Sequence, residues 1–221
     1  MLANDRPVAE AVLVRGKKVV PAGVDMYERT HAGFLPREEP AVATRRNDPD
    51  RRDRIIDAAL QVIAEGGVAG TSHRRVAERA DVPLGSMTYH FTNMDELLRE
   101  AFTRFAERVS ERFTARLSAV DRREQLASAI VDLVHEDLVA GPDDLVLTLE
   151  LYTLAARKPA FRQITHDWMR RSRAVLERHV DSRTAHKLDA LIEGLFIHVS
   201  LDATPHGRDV TRDAVLRFLS P

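Results

Sequence analysis

From Arg51 to Leu219 apolar residues recur at every third or fourth position, and the pattern breaks at short stops such as Gly66-Gly67, Asp81-Val82-Pro83, Gly141-Pro142 and Lys158-Pro159. A period near 3.6 sustained in this way, with few strand-like alternations and no fixed-length repeat, restricts the chain to an all-α fold. The first helix spans Arg51 to Glu65 with Ile55, Ile56, Ala59, Leu60 and Ile63 on one stripe, ended by the glycine pair. Thr71 or Ser72 caps a second, short helix. Pro83 suits the first position of a third, running to about His90. Asn93 with Glu96 reads as a capping box for a long fourth helix from Asp95 to about Ser118.

The second half continues in the same style. Asp121 with Glu124 signals the start of a fifth helix carrying Leu126, Ile130, Leu133, Val134 and Leu138. Asp143 to Arg157 is apolar almost all round, which predicts a central, buried sixth helix. A seventh runs from Pro159 to about Val180, an eighth from Ser182 to Asp202 and a last from Asp209 to Leu219. That makes nine helices.

Composition narrows the function classes. Lys and Arg number 33 against 34 Asp and Glu, so the formal net charge is -1 and any nucleic-acid contact must be local rather than a chain-wide basic field. With 44% apolar residues over 221 positions the chain can bury a substantial core. Cys is absent, which excludes disulfides, thiolate zinc sites and iron–sulfur clusters and fits a reducing compartment. No apolar run reaches membrane-span length, and Asp5, Arg6, Pro7 and Glu10 interrupt any signal-peptide core. The expectation is a soluble, cytoplasmic protein without membrane contact. Residues 1–48 differ from the rest: Pro and Gly interrupt every candidate element, and only Ala11 to Val14 and Val19-Val20 around RGKK hint at a weak hairpin. This segment reads as a disordered or loosely attached arm.

The stretch TSHRRVAERADVPLGSMTYHF, Thr71 to Phe91, holds two stubby amphipathic helices around the turn Ala80-Asp81-Val82-Pro83, which is helix-turn-helix spacing. With its flanks, GTSHRRVAERADVPLGSMTYHF followed by NMDELL, it resembles the TetR family of one-component bacterial transcription regulators. The likeness rests on the Gly-Gly stop, the Thr cap, Val76-Ala77, Ala80-x-Val82, Gly85, Tyr89-His90-Phe91 and the restart Asp95-Glu96-Leu97-Leu98. It covers Arg51 to Leu98 motif by motif and the helical remainder in architecture only. Each element alone is weak; together they are specific. Two positions depart from the family pattern. Thr88 stands where many members have Tyr, and Met94 where many have a phosphate-contacting Lys, so no operator sequence is carried over.

The resemblance implies three parts: the arm at 1–48, a helix-turn-helix DNA-binding domain at 49–94 and a helical ligand-binding and dimerisation domain at 95–221. It places Pro83, Leu84, Ser86, Thr88, Tyr89 and His90 at the major groove of a double-stranded operator. Arg51, Arg52, Thr71, Ser72 and Arg74 then hold phosphates. Val76, Ala80, Val82, Met87 and Phe91 belong to the small core, and Gly85 is consistent with close approach to a neighbouring backbone. A homodimer paired through Leu188, Leu191, Ile192, Leu195, Phe196 and Val199, with Phe218, spaces two such helices along a pseudo-palindrome. A small-molecule effector lodged among Phe102, Phe105, Glu150, Tyr152 and Trp168 releases DNA, which describes a repressor.

Bland readings compete with several of these residues. Aromatics at helical spacing are more often core than pocket, and Glu150, in an apolar helix, calls for an internal ion pair before a ligand. His135, His166, His198 and His206 lack zinc spacing, and neither a metal nor a cofactor is expected. Two other function classes remain: a ligand-independent architectural DNA binder, which a closed, dry bundle favours, and an enzyme with Glu150, His166 and Asp167 as its acid-base groups. No nucleophile elbow, phosphate loop or dinucleotide motif supports the enzyme.

Overall fold

The computed structural model of the protein describes residues 13–14, 17–18, 48–141 and 143–219. The chain divides into two units between Arg45 and Arg46. In the first, β1 (Leu13–Val14) and β2 (Lys17–Lys18) pair antiparallel, with Leu13 opposite Lys18 and Val14 opposite Lys17. The hairpin expected around RGKK is present, with Leu13 and Val14 in its first strand and Lys17 and Lys18 in its second. Apart from Asp48, the remainder of the expected arm, Val19 and Val20 included, lies outside the described residues.

The second unit is helical. α1 (Arg51–Gly66) buries the expected stripe of Ile55, Ile56, Ala59, Leu60 and Ile63. It stops where Gly67 takes φ 68°, a left-handed conformation that disfavours a side chain. α2 (His73–Arg79) is capped by Ser72, whose hydroxyl accepts from the Arg75 N–H at 3.3 Å. Thr71 does something else, donating its hydroxyl to the Gly67 carbonyl at 2.9 Å. Asp81 carries the turn at φ 51°, one of the few non-glycine types that tolerate it. α3 (Leu84–His90) follows, with Pro83 as its cap residue rather than its first helical residue. Val76, Ala80, Met87 and Phe91 are buried against α1, and Val82 packs partly buried beside them.

α4 (Met94–Ser118) is opened by Asn93, whose side-chain oxygen accepts from the Glu96 N–H at 2.9 Å, while Glu96 accepts from the Thr92 N–H at 2.6 Å. This is the expected capping box, shifted by one residue at its second bond. The helix buries Leu97 and Leu98 near its start and Val109, Phe113 and Leu117 near its end, packing on α1 and on α7 (Pro159–Leu176). It thereby joins the helix-turn-helix to the helices that follow.

α5 (Arg123–Asp132) starts after Arg122, so the expected cap at Asp121 is displaced. It runs into a single π-turn at Leu133–Asp137, closed by the Leu138 N–H on the Leu133 carbonyl at 2.9 Å. Arg116 of α4 holds this turn through Asp137 at 2.5 Å and Glu136 at 3.2 Å. α6 (Asp144–Arg157) is not buried all round as predicted. Leu147, Leu151 and Leu154 face inward, whereas Val146 and Leu149 are exposed. α7 ends at Leu176, short of Val180, and α8 (Ser182–Leu201) begins at a cap in which Asp181 accepts from the Thr184 N–H at 3.0 Å. α9 (Arg208–Leu219) packs on α5 and α8 through Thr211, Val215 and Leu219. The described residues thus contain nine α-helices. No helix among them is long and apolar enough to cross a membrane.

Candidate functional site

Two features stand out, an exposed short helix at one end of the second unit and a cavity among the later helices. On α3, Tyr89 is 83% exposed and Leu84 54%, far more than a packing helix of seven residues leaves its large side chains. Pro83 and Thr88 are exposed beside them, the Thr88 hydroxyl donating to the Gly85 carbonyl at 3.1 Å. His90 is half-buried under the edge of the Tyr89 ring, with centroids 4.9 Å apart. Burial, then the charges of Arg51 and Arg52, hold its imidazole below the usual pKa. Ser86 departs from expectation: it is buried on the inner side of α3 next to Met87 and cannot present its hydroxyl to a groove. Gly85 also departs, since a Cβ there would meet nothing within 4 Å. Among the described residues no contact requires its missing side chain.

Basic groups surround this helix, each with a local partner. Arg74 is paired with Glu78 at 2.9 Å, and Arg75 donates to the Gly70 carbonyl at 2.6 Å. Arg52 pairs with Glu100 and lies over the Phe91 ring, 5.2 Å from its centroid. Arg51, half-buried, stands at the first position of α1. These exposed pairs are weak, and a phosphate oxygen can exchange for the carboxylate at little cost. Met94, at the first position of α4, is partly buried against the core.

The cavity, of about 60 Å³, lies between α4, α6, α7 and α8. Its walls hold Val109, Arg112 and Phe113 from α4 and Asp144, Thr148 and Tyr152 from α6. Trp168, Met169 and Ser172 come from α7, and Asp189, Ile192, Glu193 and Phe196 from α8, with Leu138 closing one side. Of the five residues singled out in the sequence, only Tyr152 and Trp168 reach it. Phe102 and Phe105 are fully buried core residues, and Phe105 touches the site only through the edge of Trp168, at 5.7 Å between centroids. Glu150 points away, accepting from the Val68 backbone N–H at 3.0 Å, so its expected ionic partner is a backbone donor instead.

The sequence signal that was missed is on α8. Asp189, Ile192, Glu193 and Phe196 follow i, i+3, i+4, i+7 spacing, which puts two carboxylates on an inward stripe. The enzyme candidates do not converge. His166 is exposed, and Asp167 bonds to Gln163 at 3.0 Å and Arg170 at 3.3 Å on its own helix.

The expected dimer stripe divides. Leu188, Ile192 and Phe196 are buried in the protomer core, the last two in the cavity wall, and so cannot form a seam. Leu191, Leu195 and Val199 are half-buried. Next to them Leu201 is 61% exposed, Val210 51% and Phe218 36%.

Residues 55–101 match the family model for bacterial regulatory proteins of the tetR family, and residues 121–221 match that for the tetracyclin repressor-like C-terminal domain. The chain is similar to the HTH-type transcriptional regulator BetI of Paraburkholderia xenovorans, at 31% identity over 70% of this chain and 84% of the relative. Among solved structures, SCO7518 of Streptomyces coelicolor A3(2) is 55% identical, covers 78% of this chain and 100% of its own, and superposes with a TM-score of 0.75. The multidrug binding protein EbrR complexed with imidazole is 36% identical over 79% of this chain and 97% of its own, with a TM-score of 0.70. EbrR has also been solved with ethidium, proflavin and malachite green.

Proposed function

The chain belongs to the tetR family of bacterial regulatory proteins, and from that premise we propose that it is a homodimeric repressor released from a pseudo-palindromic operator by a small organic effector. The observation that carries this reading is the pairing of an exposed α3 with a cavity whose walls include α4, the helix that also packs on α1 of the helix-turn-helix. Residues 49–94 read DNA, and residues 95–221 bind effector and pair the protomers.

Leu84, Thr88 and Tyr89 meet base edges and the sugar wall, with Pro83 and His90 at the two ends of the helix. Arg51, Arg52 and Arg74 exchange carboxylate for phosphate, and Ser72 keeps its capping role at the phosphate-facing end of α2. Thr71, its hydroxyl engaged with Gly67, supports this end rather than contacting DNA. Leu195, Val199, Leu201, Val210 and Phe218 form the seam with a second copy. A two-fold pair then sets the reading helices roughly 34–36 Å apart, one turn of DNA.

At about 60 Å³ the cavity has room for only a few water-sized molecules, and a drug-sized ligand must spread its helices. A ligand favouring the spread shape shifts the protein away from the DNA-competent spacing by its differential affinity and no more. The complexes of EbrR support an organic ligand of this kind. The cavity itself counts against a purely architectural DNA binder.

Mapping the genomic fragments retained by the purified protein identifies the operator. Imidazole and malachite green, as first probes, should raise the thermal midpoint of the protein alone and lower its operator affinity in step, with dye on bare duplex as the control. Stabilisation without any loss of DNA affinity would overturn the effector reading.

A further inference from the structure

An ion pair, rather than packed apolar side chains, separates the cavity from a second and wider space. A groove of about 570 Å³ lies on the outer side of α4 and α6, with Asp57 and Gln61 of α1 and Leu147 of α6 among its walls. Arg112 and Asp144 line both the groove and the cavity. Their side chains bond to each other, so the pair stands between the two spaces. Asp144 is the fixed half. It is the first residue of α6, its side chain is 6% exposed, and its carbonyl accepts from the Thr148 hydroxyl at 2.7 Å. A Cβ on Gly141 would fall 2.5 Å from its carboxylate, so the preceding turn closes tightly around it. Arg112 is the half that can move: its side chain is 30% exposed, and its buried Nε–H has no acceptor.

We propose that Arg112 is a gate, whose guanidinium leaves Asp144, turns into the groove and joins the cavity to solvent. The inference rests on the effector reading above and adds the route by which an effector enters and leaves. Opening costs little for three reasons. Partly exposed ion pairs are weak. Arg108, 3.7 Å from the other Asp144 oxygen and 5.8 Å from the Phe105 ring centroid, remains as a counter-charge, and so does the N-terminal end of the α6 dipole. In the groove the orphaned Nε–H finds water, which offsets the hydrogen bond lost at Asp144. A wall of packed leucines has no such second position, because each side chain withdrawn from it exposes apolar surface.

The chain has no Cys, so one introduced thiol reports one place. Ser172 lies in the cavity wall, 6% exposed, and Ser172→Cys replaces a single atom there. Methyl methanethiosulfonate, small and neutral, should label this thiol slowly in the otherwise unchanged protein. Asp144→Asn and Arg112→Gln should each quicken labelling at least fivefold. The two substitutions change the local charge in opposite senses, so an electrostatic effect on the thiol drives the two rates apart, whereas an open gate raises both. Arg116→Gln, one turn along α4, breaks an ion pair with Asp137 away from the cavity and should leave labelling within twofold. Rates that stay unchanged, that diverge, or that rise equally in Arg116→Gln sink the gate. Should Asp144→Asn fail to fold, Arg112→Gln against Arg116→Gln decides.

Operator release by malachite green and imidazole separates this failure from that of the effector reading. Labelling that quickens as expected while neither compound frees DNA leaves the gate and removes the effector. Release of DNA with labelling unchanged in both gate variants does the reverse.

Discussion

The carboxylate of Glu150 on α6 accepts a hydrogen bond from the backbone N–H of Val68, 3.0 Å away, in the turn that joins α1 to α2. Gly67 beside it is constrained twice. Its φ of 68° disfavours a side chain, and a Cβ would fall 2.7 Å from the Glu150 carboxylate. Thr148 and Tyr152, on either side of Glu150 in the same helix, line the cavity. Glu150 thereby ties α6, which forms part of the cavity wall, to the turn from which α2 and α3 are hung.

Glu150→Gln keeps the shape of this contact and removes its charge, which weakens a charge-assisted hydrogen bond by about 1 kcal/mol. Exchange of the Val68 amide hydrogen should quicken by roughly fivefold, with the thermal midpoint lowered by no more than about 2–4 °C. The variant should also bind operator normally while responding to effector more weakly. Unaltered exchange at Val68 would mean that the contact constrains nothing.

The two faces of α3 make opposite predictions. Tyr89→Ala removes a side chain that is 83% exposed, so stability should change by no more than about 0.5 kcal/mol while operator affinity drops tenfold or more. Ser86→Ala alters a buried position, and any effect should appear in urea unfolding rather than in sequence preference. Normal DNA affinity in Tyr89→Ala would remove α3 from the groove.

The helices and the helix-turn-helix were legible because their signals are local: an apolar period, glycine stops and capping residues such as Asn93 and Ser72. What stayed hidden depends on which side of a helix meets which neighbour. Composition makes α6 look buried all round, yet α7, α1 and α4 together still leave Val146 and Leu149 exposed. Leu188 and Leu201 fall on different apolar faces of α8 by helical period, and only packing shows which of the two faces meets the protomer core. The cavity escaped for the same reason. Its polar lining, from Asp144 to Glu193, comes from helices far apart in sequence, while Phe102 and Phe105, the conspicuous aromatics, are core. Glu150 drew attention correctly as an acid in an apolar helix, but its partner is a backbone amide, which no side-chain pattern announces.

Leu201→Arg tests the proposed seam without disturbing the protomer, since this side chain is 61% exposed on the single chain. Placing an unpaired charge at the centre of an apolar interface costs several kcal/mol, enough to shift a micromolar sample to monomer. Sedimentation should show a folded monomer whose helical circular dichroism is intact, and operator affinity should fall because each half-site is then bound separately. A persistent dimer would place the seam elsewhere.

Asp189 gives a prediction in pH. Burial pushes its carboxyl up to about 6, against the pull of Arg173 from α7 and with reinforcement from Glu193; His186 on α8 lowers it slightly, and the Tyr152 hydroxyl of α6 lies on the same cavity wall. Below about pH 4 the group is protonated folded and unfolded, and it does not affect stability. Between about pH 4 and 6 the unfolded chain ionises first, so the group lowers stability progressively as pH rises; above 6 the penalty is constant. A difference of that size corresponds to about 3 kcal/mol at most, part of which Asp189→Asn forfeits by leaving Arg173 with a neutral partner. The substitution should therefore stabilise the ligand-free protein at pH 7.5 by about 1–2 kcal/mol, and the gain should shrink toward zero by pH 4. Urea unfolding of both proteins at the two pH values measures this directly, and destabilisation at pH 7.5 would show that Arg173 outweighs burial. A stabilising result would mean that the ligand-free protein holds the Asp189 carboxylate at the cavity wall at a cost in stability.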